Sequence, residues 1–143
     1  MLSAVKTIVL FDQGLGPELT TNGDFSTNDL AGWTNGSSGT GSVDASTGSA
    51  VLISTDASNK GRITQLISGL PVGTRLRVQF DVVDSPQNAF VNMTGLSPSI
   101  SSNRAVGHWS FDVQTTSTTP TWDVQVQSNN GQCVVDNFSA RKR

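Results

Sequence analysis

Residues 18–33, ELTTNGDFSTNDLAGW, govern the reading of the whole chain. The stretch starts extended, turns at Asn22-Gly23, places an apolar anchor at Phe25, runs through a polar loop and ends on Gly32-Trp33. Asn-Gly accepts positive φ and so marks a tight turn. Phe25 and Trp33 are too large and apolar to stand in water on both sides of such a loop. The sequence therefore predicts that both rings plug one core, near one of its ends.

Downstream the apolar residues keep a period of two. Residues 49–55 (SAVLIST) and 61–67 (GRITQLI) read as strands separated by a turn-rich segment, 56–60. Leu70-Pro71-Val72-Gly73 turns into the clearest strand, 74–84, where Leu76, Val78, Phe80 and Val82 alternate with Arg75, Arg77, Gln79 and Asp81. One apolar face at period two means a strand packed on one side. A short strand is predicted at 89–93 and a polar loop at 97–103, with Pro98 inside it. Trp109, Phe111 and Val113 share a face in 107–115, and Trp122, Val124 and Val126 repeat the pattern. Asn129-Asn130-Gly131 reads as a hairpin turn before the last strand, 132–140. The glycine- and serine-rich residues 35–42 (NGSSGTGS) read as a flexible loop between two strands. No helix and no solenoid repeat is signalled.

Composition agrees with this picture. The 143 residues suit one ordinary domain, and 35% hydrophobic with only 14% charged residues does not describe a charged disordered chain. A net charge of −2 argues against a general nucleic-acid surface. The single cysteine, Cys133, excludes an internal disulfide and reads as a small buried hydrophobe. No run is long enough to span a bilayer, so no membrane partner is expected. The opening MLSAVKTIVLF makes a poor signal peptide, and the expectation is a chain made in the cytoplasm and kept whole.

Residues 1–17 stand apart as an extended arm, leaving 18–143 as the domain. Val5, Ile8, Leu10 and Phe11 are apolar, and Gly14, Gly16 and Pro17 then break the run. An exposed apolar edge is an aggregation hazard, so burial is expected, against another chain in preference to the arm's own sandwich. The tail Arg141-Lys142-Arg143 is read either as a solvated end or as a dock for an acidic neighbour.

Many short strands with Gly, Asn and Pro turns predict an all-β fold, a single antiparallel β-sandwich. The opening ELTTNGDFS…GW, the middle ITQLISGLPVGTRLRVQFDVVD and the closing VVDNFSAR sharpen this. Together, over residues 18–141, they resemble the carbohydrate-binding-module-like, galactose-binding-type jelly rolls found in secreted glycosidases and in bacteriophage tail and other virion proteins. The resemblance implies a jelly-roll topology. It implies function more weakly, because the fold hosts many roles.

The resemblance also implies two sites. Calcium is held in such domains by residues matching Asn22, Asp24 and Asp136, but Ser26 stands where the family has an acidic residue. Calcium wants six to eight oxygens, so the loss of one carboxylate weighs against the ion. The other reading has Asp24 and Asp136 satisfying turn and backbone hydrogen bonds. A sugar site needs an exposed aromatic face beside polar side chains. The chain has no tyrosine, and Trp33, Trp109 and Trp122 each have a core reading, which leaves Phe90, and after it Trp109, as a platform.

Catalysis finds little support. The one histidine, His108, lies in a strand with Ser110 and Asp112 spaced along the same face rather than converging. Asp81, Asp84 and Asp112 offer carboxylates for glycoside hydrolysis, but nothing singles out a pair. With the resemblance and the apolar arm, the sequence points first to a non-enzymatic structural protein of a tailed-phage virion (a capsid decoration, head fibre or tail part), attached by its arm and in contact with other virion proteins and copies of itself. The alternative is a carbohydrate-binding module that recognises glycans.

Overall fold

The computed structural model describes residues 14–85, 89–126 and 130–143. The apolar arm residues Val5, Ile8, Leu10 and Phe11 lie outside this set. Among the described residues eleven strands are formed: β1 (Thr34–Asn35), β2 (Ser42–Asp44), β3 (Ala50–Ser54), β4 (Arg62–Leu66), β5 (Arg75–Asp84), β6 (Ala89–Thr94), β7 (Leu96–Ser97), β8 (Ile100–Arg104), β9 (Gly107–Thr115), β10 (Thr121–Val126) and β11 (Gly131–Lys142). They build a five-stranded sheet in the order β1-β4-β10-β6-β8 and a six-stranded sheet in the order β2-β3-β11-β5-β9-β7. All strand pairs are antiparallel. From β4 onward each strand lies in the sheet opposite its predecessor, so almost every connection crosses the sandwich.

That crossing corrects two expectations. β10 and β11 belong to different sheets, so the Asn-Asn-Gly segment joins sheets and closes no hairpin. The predicted polar loop at 97–103 contains β8, an edge strand paired with β6. Only Ile100 of its residues is buried outright. A strand needs backbone pairing before it needs apolar side chains, and a polar edge is tolerated because it discourages further pairing.

The alternation in β5 is realised: Leu76, Val78, Phe80 and Val82 are 0–2% exposed and meet the inward residues of the other sheet. The anchors of the opening stretch are also in place. Phe25 and Trp33 are buried and pack against Phe138, with ring centroids 5.2–6.3 Å apart among the three. Phe138 in turn touches Trp122 and Phe80, giving a continuous aromatic column through the core. The Trp33 indole donates to the Asn22 carbonyl and the Trp122 indole to the Thr20 hydroxyl, so neither polar handle is stranded. Cys133 is buried, and burial pushes its thiol up to about 12.

Two side chains and one backbone hydrogen bond fasten the opening stretch to the sandwich. Gln65 of β4 accepts from the Thr21 amide and donates to the Thr21 carbonyl. Glu18 accepts from the amides of Thr20 and Ala140, the Ser139 hydroxyl and the Arg141 guanidinium. The Gly23 carbonyl accepts from the Phe138 amide, and a Cβ at Gly23 would sit 1.9 Å from the Phe138 oxygen. Gly23 is thus required by close approach, while Asn22 takes the positive φ of the turn.

Candidate functional site

The pleat sends alternate residues of β4, β10, β6 and β8 outward from the five-stranded sheet. Cross-strand register aligns them in rows. One row runs Thr34, Thr64, Asp123, Asn92 and Ser101, and the next runs Arg62, Gln125, Phe90 and Asn103. At the far side Leu66, 57% exposed, stands beside Thr121 and Thr94. All of these positions are open or half-open to solvent. The face therefore combines one aromatic ring, an aliphatic flank and a dense set of amides and hydroxyls.

Arg62 and Asp123 brace this face. The guanidinium gives two parallel hydrogen bonds, Nε to Oδ1 at 2.7 Å and Nη2 to Oδ2 at 2.6 Å. The Asp123 contact holds Arg62 even more firmly in its charged form, against the opposing effect of partial burial. A bidentate pair fixes both side chains in one geometry, so their remaining polar edges are presented in place.

Phe90, the ring that the sequence left as a platform, lies half-open in the end row of this face, on β6 beside edge strand β8. Trp109 lies elsewhere. It opposes Phe80 on the inner side of the six-stranded sheet, and the Arg104 guanidinium covers its ring at 4.7 Å. Its indole donates to the Ala105 carbonyl. Trp109 is therefore an edge-of-core residue stacked under an arginine, not a neighbour of Phe90. The companions of Phe90 were missed by sequence reading: Arg62, Asn92, Asn103, Asp123 and Gln125 come from four strands, and only their outward parity in each strand marks them.

The implied calcium ligands do not make a cage. Asn22 and Asp24 line a recess of about 410 Å3 with Glu18, Asn137 and Arg141, and Asp136 is not on its wall. Asp24 is spent on the amide and hydroxyl of Ser26, and Asn22 on the Thr27 amide and the Asp29 carbonyl. Asp136 accepts from the Ser49 hydroxyl and the Asn137 amide. Among the described residues no three His, Cys, Asp or Glu side chains are grouped to hold a metal. This donor set falls short of the six to eight oxygens calcium needs. Burial, together with the nearby charges of Asp81 and Asp24, raises the Asp136 carboxyl above the usual carboxylate range.

Of the residues weighed for catalysis, His108, Asp81 and Asp112 make polar contacts along the outer face of the six-stranded sheet. His108 Nδ1 meets Asp81 Oδ1 at 2.5 Å, with a side chain 59% exposed. Asp112 receives Arg77 and Arg143, and the Arg77 hydrogen bonds hold its carboxyl below the usual range. Asp81 also accepts from the Asn137 amide group. Asp81 and Asp112 thus each have a basic or amide partner.

No protein-family profile and no curated protein matches the chain. Solved structures do match in fold. The first is a domain of tailspike protein 4 of bacteriophage CBA120, with TM-score 0.72 and 17% identity over 88% of this chain and 21% of that one. The second is TmCBM61, solved with β-1,4-galactotriose, with TM-score 0.60 and 11% identity over 90% of this chain and 100% of that one. A family 4 carbohydrate-binding module follows, with TM-score 0.56 and 16% identity over 87% and 99%. The chain spans about a fifth of the tailspike protein's solved length and essentially the whole of both modules. The fold is that of the carbohydrate-binding-module jelly rolls.

Proposed function

We propose that this domain binds glycans on the outer face of the five-stranded sheet and catalyses no reaction. The observation that carries the reading is the row Arg62, Gln125, Phe90 and Asn103 beside Asp123 and Asn92. A sugar's C–H face stacks on the Phe90 ring, and its hydroxyls exchange hydrogen bonds with the flanking amides and the braced ion pair. The shared fold of TmCBM61, a protein solved with β-1,4-galactotriose, supports it by analogy. A glycan-array screen followed by calorimetry tests it. The wild type should bind a neutral oligosaccharide, and Phe90→Ala should weaken that binding by about 1–3 kcal/mol, in the range of a lost stacking contact, at unchanged melting temperature.

A second reading places the same domain in the virion of a tailed phage, made in the host cytoplasm, where a glycan-binding face serves attachment. The tailspike domain's TM-score of 0.72 supports it. On this reading residues 1–13, with Val5, Ile8, Leu10 and Phe11, join the domain to another virion protein or to a copy of itself by strand addition.

A further inference from the structure

We infer that the outer face of the six-stranded sheet carries a second binding site, specific for acidic polysaccharide. It lies where β5 begins and β11 ends, on the sheet opposite Phe90. Register sets Arg141 beside Arg77 and Arg77 beside Asp112, while the Arg143 amide donates to the Arg75 carbonyl and Arg75 opposes Gln114. Four arginines thus occupy two adjacent rows of neighbouring strands. Strands lie about 4.8 Å apart and alternate residues about 6.7 Å apart along them, so the guanidinium groups form a compact grid.

Their charge is only partly answered within the fold. Asp112 takes both Arg77 and Arg143, and Glu18 takes Arg141. Arg75 is exposed and has no carboxylate at ion-pair distance among the described residues. Four guanidiniums therefore share two carboxylates, in a protein whose net charge is −2. Between Arg75, Arg143, Asp112, Gln114 and Ser97 a recess of about 260 Å3 opens. It has room for a carboxylate or sulfate group, with the Arg75 fork free to accept it in bidentate geometry.

The neighbouring row selects the class of ligand. Ser139, Gln79 and Ser110 continue the outer face beyond the arginines. Hydroxyls and amides match sugar hydroxyls. Nucleic acid would want aromatic platforms for its bases, and a protein partner would want an apolar centre. The outer positions here are arginine, serine and glutamine, with Asp112 engaged by Arg77 and Arg143. A chain of sugar rings bearing regular acidic groups meets both the charged grid and the polar row.

The test uses the full chain with polygalacturonate, dextran sulfate, neutral dextran and a DNA duplex as probes in affinity electrophoresis. The wild type should be retarded by polygalacturonate and less so at high salt, and should ignore neutral dextran. Arg75→Gln with Arg143→Gln should cut that retardation roughly fivefold or more at unchanged melting temperature, given that charge-assisted bidentate contacts are lost. Asp112→Asn frees two guanidiniums and should strengthen it. Phe90→Ala should leave it unchanged, which separates this site from the neutral-glycan face. No retardation by polygalacturonate would overturn the proposal, as would retardation that the double variant retains. Retardation by DNA equal to that by polygalacturonate or dextran sulfate would also overturn it, by showing a patch that takes any polyanion.

Discussion

A methyl group at residue 23 is enough to test how the opening stretch is held. The Gly23 carbonyl is bound to the Phe138 amide, and an alanine Cβ would fall 1.9 Å from the Phe138 carbonyl oxygen. That neighbour is backbone and cannot rotate away. Gly23→Ala should cost about 3 kcal/mol, the upper range of overpacking, as read by chemical denaturation. Glu18 makes a pH-dependent contribution. Burial alone would raise its carboxyl, but hydrogen bonds from Ser139, Thr20, Ala140 and Arg141 prevail and the net shift is downward. The folded state therefore holds the ionised form more tightly than the unfolded chain does. Its stabilisation is complete above the ordinary glutamate range and is lost as pH falls through the lowered folded value. Glu18→Gln should lower stability by about 1–2 kcal/mol at neutral pH, with the gap to wild type closing in acid. Asp136 has the opposite sign. Burial and the charges of Asp81 and Asp24 raise its carboxyl, so ionisation costs stability as pH rises past the ordinary aspartate range. Asp136→Asn should melt at or above the wild-type temperature at neutral pH, and EDTA should shift neither protein. A lower melting point for the variant, or one shifted by EDTA, would restore the calcium reading of Asn22, Asp24 and Asp136.

At the scale of elements, legibility followed side-chain periodicity. β5 was readable because Leu76, Val78, Phe80 and Val82 alternate without interruption, and β9 and β10 likewise. β8 was not, because ISSNR has one apolar residue and owes its conformation to the backbone of β6. The bulge in β11 was equally hidden. The register with β5 slips between Asp136 and Ser139, Asn137 takes a φ of 53°, and Phe138 is thereby turned into the core. An Asp-Asn-Phe sequence announces a turn as readily as a bulge. The arm is an element of another kind. Phe25, Trp33, Trp122 and Phe138 already close the core among the described residues. Deleting residues 1–13 should therefore leave a folded, soluble domain of unchanged melting temperature, and unfolding of the truncated protein would show that the arm belongs to its own core.

For the whole molecule, the two-sheet architecture was foreseeable from strand number and turn chemistry, but the partition of strands between sheets was not, since pairing is non-local. The same limit governed the site. Phe90 could be named from the sequence because the chain has no tyrosine and its three tryptophans have core readings. Its neighbours Arg62, Gln125 and Asn103 are assembled by register across four strands, which no local pattern encodes. Trp109 followed the opposite course: its apolar face was readable, but the cover by Arg104 depends on an edge strand that sequence reading took for a loop. The central claim is that the five-stranded face is a glycan platform. An NMR titration of the isotope-labelled full chain with β-1,4-galactotriose and with the neutral oligosaccharides selected by the array tests it most directly. The account predicts amide shifts concentrated on β4, β6, β8 and β10 around Phe90, Asn92, Asn103 and Gln125. A spectrum unmoved by every oligosaccharide, or shifts gathered on the six-stranded sheet, would contradict it.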